Sequence, residues 1–221
     1  GYGGLGGYTS YTSGGSAYGN IKEPYDLGSG GGSPYGGKGG GAVILRSTGT
    51  ILINGTISAD GTGTTYRQGG GSGGSIYINA GKIEGNGLIS VNGGTGGSDG
   101  GGGGAGRIAI YYGENNFTGI ISAYGGTVGQ TRGGAGTIFL KGSGQTYGDL
   151  KVDNYNYDGM VTPIIDGSHN FDKIEVIRKG KLEISAGDTL AISNLYVKEN
   201  AVMISAGNVN VSQEFSVENN G

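Results

Sequence analysis

The chain has 221 residues, 56 of them glycine and 3 proline, and it has no cysteine, which excludes disulfides and thiolate metal sites. A net charge of −3 and a pI near 5.1 argue against nucleic acid as the main partner. No apolar run reaches the roughly 18 residues of a transmembrane helix, and glycine does not fall at every third position over long stretches as it does in collagen.

The chain starts at Gly1 with no secretory leader and stops at Glu218-Asn219-Asn220-Gly221, so a processed piece of a longer protein is expected. Residues 1–42 are rich in glycine and tyrosine, with Tyr2, Tyr8, Tyr11, Tyr18 and Tyr25 set among Gly and Ser. They are expected either to cover the glycine-rich layer formed further along the chain or to form a flexible arm.

From residue 43 the sequence repeats. Val43-Ile44-Leu45, Ile76-Tyr77-Ile78, Ile108-Ala109-Ile110 and Ile138-Phe139-Leu140 each place apolar residues first and third, the period-two mark of a strand with a buried face. A second series, Asn54-Gly55-Thr56-Ile57-Ser58-Ala59, Asn86-Gly87-Leu88-Ile89-Ser90-Val91 and Thr118-Gly119-Ile120-Ile121-Ser122-Ala123, recurs every 32 residues. Stacking these repeats puts Asn54, Asn86 and Thr118 in one corner column, followed by Gly55, Gly87 and Gly119. Asn-Gly suits tight turns with positive φ, and stacked asparagines are expected to bond as an amide ladder.

Glycine-rich insertions at 60–75, 92–107 and 124–137 separate the repeats, and residues 1–136 hold 47 of the 56 glycines. Similar lengths at one corner predict ordered packing as polyproline II-like strands, which lack internal hydrogen bonds and can bond sideways. In register, Asp60 falls beside Asn92 and Tyr124, and Arg67 beside Asp99, where an ion pair is expected. Asp60 and Asp99 with nearby carbonyls are also a candidate Ca²⁺ site, since Ca²⁺ takes oxygen ligands. No other cofactor is indicated.

Residues 153–173 form an acidic loop. Asp149, Asp153, Asp158, Asp166 and Asp172 cluster in or beside it, near Lys151, Lys173 and Arg178, the residue types of a sugar-cleaving site. Asp as a turn former is the simpler reading. His169 is the only histidine, which leaves little basis for a triad. No enzymatic activity is expected. From 174 to 221 the repeat shortens to about 20 residues: Ile184-Ser185-Ala186-Gly187 recurs as Ile204-Ser205-Ala206-Gly207, and Ile174-Glu175-Val176 as Leu195-Tyr196-Val197 and Phe215-Ser216-Val217.

Both periods predict one all-β architecture: a right-handed parallel β-helix (β-solenoid) with three short strands in each coil of about 20 residues and the glycine-rich insertions along one edge. Residues 43–152 and 174–221 are expected to be one continuous domain. Tyr77, Tyr111, Tyr112 and Phe139 fall on or beside the outward positions of the first strands, so they are candidate polysaccharide-binding aromatics, or else lie beneath the arm.

The strings Ser75-Ile76-Tyr77-Ile78, Gly85-Asn86-Gly87-Leu88-Ile89-Ser90-Val91, Gly106-Arg107-Ile108-Ala109-Ile110-Tyr111-Tyr112 and Gly119-Ile120-Ile121-Ser122-Ala123-Tyr124 resemble the glycine-rich repeats of large, adhesin-like secreted bacterial surface proteins. The resemblance covers about 26–140, and by composition the glycine tracts are also similar to the tips of some phage tail adhesins. It implies a parallel β-helix, an extracellular or cell-surface location and a non-catalytic structural or adhesive role. The implied partners are copies of the chain itself, end to end or side by side, or a surface polysaccharide. A polysaccharide-binding module and a β-helix polysaccharide-degrading enzyme are the alternatives.

Overall fold

The computed structural model describes residues 1–8, 13–32, 35–127, 131–165 and 167–219; Tyr11 and Asp166 lie outside the described residues. The chain is all-β, and among the described residues no helix is long and apolar enough to cross a membrane. Fourteen strands follow in order: β1 (Ala42–Leu52), β2 (Thr56–Ser58), β3 (Ser75–Gly85), β4 (Leu88–Ser90), β5 (Arg107–Phe117), β6 (Ile120–Ser122), β7 (Thr137–Gly142), β8 (Asp149–Asp153), β9 (Thr162–Ile164), β10 (Ser168–Ile177), β11 (Lys181–Ile184), β12 (Thr189–Lys198), β13 (Val202–Ser205) and β14 (Asn208–Glu218).

Eight of them make one sheet, ordered β1-β3-β5-β7-β8-β10-β12-β14, and the short strands make two three-stranded sheets, β2-β4-β6 and β13-β11-β9. β1, β3, β5, β10 and β12 are each followed by one short strand, where the sequence predicts three short strands in each coil. The reason is that the first two expected strands fuse. Leu190-Ala191-Ile192 and Leu195-Tyr196-Val197 both belong to β12, which pairs with β14 through a register shift between Ile192 and Asn194. A bulge bends such a strand and adds twist without ending it. β1 and β3 pair through a comparable shift between Ser47 and Thr50.

One junction departs from the parallel pattern. β7 and β8 pair antiparallel, Phe139 opposite Leu150, whereas every other strand pair within the three sheets is parallel. Only residues 143–148 separate them, too few for the dozen or more that a parallel crossover needs. Strand direction therefore reverses halfway along the sheet.

The buried face changes at the same place. One row across the sheet reads Val43, Ile76, Ile108, Ile138, Lys151, Glu175, Tyr196, Ser216, apolar before the junction and polar after it. The opposite row, Tyr77, Ala109, Phe139, Leu150, Ile174, Leu195, belongs to the second core. The first core holds Ile76, Ile108 and Ile138 with Ile89 of β4; the second packs Phe139 and Leu150 against Ile164 of β9 and Leu182 of β11. β7 serves both, as β3 and β5 do through Tyr77 and Ala109, with Ile138 3% and Phe139 0% exposed.

The 143–148 hairpin is held from β10. Asp172 Oδ2 accepts the Tyr147 and Gly148 N–H groups at 3.0 and 2.8 Å, and the Asp172 N–H returns a bond to the Gly148 carbonyl. Gly148 has φ +85°, and a Cβ there would sit 2.6 Å from Phe139 Cζ.

The glycine-rich insertions are an ordered slab. Along the third segment of each pass, N–H groups point in three directions in turn. Gly70 bonds Gly101 of the next insertion, Gly71 bonds Thr62 of its own, and Ser72 bonds Ser29 of the preceding one. Gly73, Gly74 and Ser75 repeat the cycle to Gly104, Ala59 and Gly41. This is the three-residue period of an extended polyproline II chain. The glycines here answer close approach rather than positive φ: a Cβ on Gly103 would lie 2.0 Å from the Gly71 oxygen. The same holds at the corners. Gly87 and Gly119 would each place a Cβ 2.1 Å from the carbonyl oxygen of the glycine one pass earlier, while the positive φ falls on Gly85. The expected amide ladder is replaced by a backbone contact, in which Asn54 Oδ1 accepts the Asn86 N–H at 3.3 Å.

Gly103→Ala is expected to destabilise the protein by about 1–3 kcal/mol or more, because the neighbouring carbonyl must move. Gly144→Ala, which meets nothing within 4 Å, is expected to stay within about 0.5 kcal/mol. Paired thermal melts check both. Asp172→Ala leaves two hairpin N–H groups without their acceptor, and a loss of about 1–3 kcal/mol is expected in urea titration.

Candidate functional site

The outward face of the first half of the sheet is roofed by the N-terminal arm. Tyr77 and Phe139 are 6% and 0% exposed. Their rings continue a ladder of aromatic contacts, Tyr25–Tyr77, Tyr77–Tyr111, Tyr111–Phe139 and Phe139–Phe171, at 5.4, 5.6, 5.6 and 6.2 Å. Lys22 Nζ lies 5.7 and 4.9 Å over the Phe139 and Phe171 rings, and Tyr111 Oη donates to the Lys22 carbonyl. Tyr112 lies on the other face, against the first core. The four aromatics chosen from the sequence therefore do not form one open stripe. The arm uses their faces.

Arg107 anchors the same roof. It is fully buried; Nε donates to the Tyr18 carbonyl at 3.0 Å and Nη1 to Thr137 Oγ1 at 3.1 Å. Its guanidinium lies 5.8 Å over the Tyr2 ring, whose hydroxyl bonds Ser75 at 2.7 Å. Burial lowers the Arg107 pKa to about 10 and raises that of Tyr2. A cleft of about 730 Å³ lies beside the arm between residues 17–23, Tyr111 and residues 168–170. Lys22 on one wall donates to the Asn170 carbonyl on the other.

The candidate carboxylates are engaged separately. Asp99 pairs with Arg67 at 3.0 Å, as the register predicts, with both side chains largely exposed. Asp60 accepts the Asn92 N–H at 2.6 Å and the Ser90 hydroxyl at 3.0 Å. Asp153 is buried and takes the Arg178 guanidinium on both oxygens, with Lys151 at 3.3 Å. Asp158 pairs with Lys181, whose hydrogen bond lowers the Asp158 pKa. Asp149 bonds Gln145 and lies 3.7 Å from Lys173; burial outweighs both and raises its pKa. His169 stacks on Phe171, with Nε2 3.1 Å from the Ile165 carbonyl oxygen.

A second aromatic group, which sequence spacing does not single out, has Tyr155 exposed and Tyr124 and Tyr157 half-buried. Asn92 Oδ1 accepts the Tyr124 N–H, so the Asp60–Asn92 column ends on Tyr124. Tyr124 stacks on Tyr155 at 5.4 Å and meets Tyr157 edge-on at 5.8 Å. Arg178 lies 4.8 Å over Tyr155, and Arg132 lies 5.3 Å over Tyr157. A cleft of about 300 Å³, lined by Asp60, Asn92, Thr95, Tyr124, Thr127 and Tyr157, adjoins these rings. Only the 32-residue column leading to Tyr124 marks this place in the sequence. Tyr155 and Tyr157 come from a turn outside the repeat.

Comparison with family models, curated proteins and solved structures returns no match.

Burial raises the Tyr111 pKa to about 12. In the unfolded chain Tyr111 ionises near 10, so between about pH 10 and 12 folding holds a proton that unfolding releases, and stability falls as pH rises. Arg107 acts oppositely over that range. Tyr111→Phe removes the tyrosine contribution alone, so its melting temperature is expected to fall less between pH 10 and 12 than that of the parent. Circular dichroism melts across that range check the sign.

Proposed function

We propose that this chain is part of an extracellular structural or adhesive surface protein, built as a right-handed parallel β-solenoid edged by a glycine slab. The observation that carries the reading is the backbone network of that slab. Gly134 bonds Leu5 of the arm, Leu5 bonds Val161 beyond the hairpin, and Gly102 and Gly103 join neighbouring insertions. Such a network ties the arm and both halves together through main-chain groups and builds a stiff body at little cost in side-chain chemistry. The parallel pairing of the long strands on both sides of the β7–β8 junction suits a single continuous solenoid. Its hand follows from the general preference of parallel crossovers.

The outer strands β13 and β14 suit pairing with a further strand, of the same protein or of another copy. Phe215 and Val217 on β14 are 62% and 67% exposed, and Val202 and Ile204 on β13 are also open. Edge strands of this kind template further strands. The described acids of the 149–172 region serve ion pairs and turn caps, which favours binding or support over glycoside cleavage.

Antibody raised against the chain is expected to label intact, unpermeabilised cells that produce the full protein, and purified chain is expected to release no reducing ends from polysaccharides. Labelling only after permeabilisation, or release of reducing sugar, would overturn the reading.

A further inference from the structure

We propose that Tyr124, Tyr155 and Tyr157, with Asp60 and Asn92 beside them, form a binding subsite for neutral, β-linked hexopyranose chains. The proposal rests on the adhesive reading and names the ligand class it engages.

The platform is assembled from two segments far apart in sequence and is fixed from beneath. Asn154, 1% exposed, accepts the Gly125 N–H at 2.9 Å and donates to the Tyr157 carbonyl at 2.7 Å. It therefore sets the Tyr155 turn against the segment that carries Tyr124. Asp153 Oδ1 accepts the Tyr155 N–H at 3.0 Å while the same carboxylate holds Arg178. Tyr155 itself has φ +52°, in the left-handed region that bulky residues rarely adopt. The turn does not call for an aromatic there. The corresponding left-handed pairs of the next two passes are Arg178-Lys179 and Glu199-Asn200, stacked on it through the Asn156–Arg178 and Lys179–Glu199 backbone bonds. A tyrosine at the first corner, 53% exposed, is not there for the core.

The chemistry around the rings selects the ligand. Arg178 and Arg132 each lie over one of the rings and already satisfy its negative face, which disfavours a cationic guest. The Asp60 carboxylate beside Tyr124 and the chain's net charge of −3 disfavour a polyanion. The exposed part of Tyr155, 53% open to solvent, is offered to the C–H surface of an equatorially substituted sugar. Two of the four or so lone-pair sites of the Asp60 carboxylate are in use, and the rest, with the Asn92 amide and the Thr95 and Thr127 hydroxyls, face the cleft as partners for sugar hydroxyls. The cleft is at the small end of the range for ligand sites, which suits a short stretch of a chain.

The experiment is titration calorimetry of the purified protein with cellohexaose and laminarihexaose, and with maltohexaose, oligo-dT and tetramethylammonium as contrasts. Binding of at least one β-linked hexaose is expected, weakened at least tenfold by Tyr155→Ala and by Tyr157→Ala. Tyr66→Ala, at an exposed tyrosine beside Arg67 in the slab, is expected to bind as the parent does. Circular dichroism melts verify folding, and should Tyr157→Ala not fold, Tyr155→Ala carries the test because its ring is the more exposed. Absence of binding to both β-linked hexaoses, unchanged binding in Tyr155→Ala, equal loss in Tyr66→Ala, or preference for a contrast ligand would each overturn the subsite. Surface labelling of intact cells is independent of all these results and separates failure of this proposal from failure of the adhesive reading.

Discussion

The structure depends on the absence of Cβ atoms where backbone meets backbone. In the slab, carbonyl oxygens stand about 2 Å from where a side chain would begin, at Gly71, Gly93, Gly103, Gly126 and Gly133 among others. That proximity lets each chain bond to neighbours on three sides with no sheet and no side-chain core. Ordering so much glycine is costly in entropy. The compensation is a dense set of main-chain hydrogen bonds, each of modest net worth and strong in sum. Alanine is tolerated at 105 and 135, where the side chains are buried, and Ser72 fits because its hydroxyl meets Ser29.

The second constraint is the hairpin between β7 and β8. A strand with one apolar face could not stand there. Thr137-Ile138-Phe139-Leu140 offers an apolar residue to each side, so Ile138 packs in the first core and Phe139 in the second. Burying such a side chain contributes about 1.5–3 kcal/mol, and β7 contributes on both faces. Beyond it the glycine insertions stop. Left-handed two-residue corners at Tyr155-Asn156, Arg178-Lys179 and Glu199-Asn200 replace them, and the repeat contracts accordingly.

The arm and the open aromatic group are complementary consequences of this layout. Because the cores lie on opposite faces, the outer face of the first half adjoins the second core and needs a cover. Tyr2, Lys22 and Tyr25 supply it, with Arg107 buried beneath. On the slab side, the end of the 32-residue column meets the first left-handed corner, and there Tyr124, Tyr155 and Tyr157 converge, with Tyr155 exposed.

Sequence alone determined whatever repeats. Intervals of about 30–33 and 19–21 residues carry the parallel registers of β1-β3-β5-β7 and β10-β12-β14, the stacking of Asn54-Gly55 on Asn86-Gly87 and Thr118-Gly119, the Asp60–Asn92–Tyr124 column and the Arg67–Asp99 pair. A fixed separation encodes a neighbour one layer away, so these contacts can be read by counting. The reversal at 143–148 left one trace, a connection too short to cross over in parallel. The change of buried face, the burial of Tyr77 and Phe139 under residues 18–25, and the meeting of Tyr155 with Tyr124 left none. They join segments with no common period, and only packing in three dimensions, where one face must be covered and another left open, decides which of them touch.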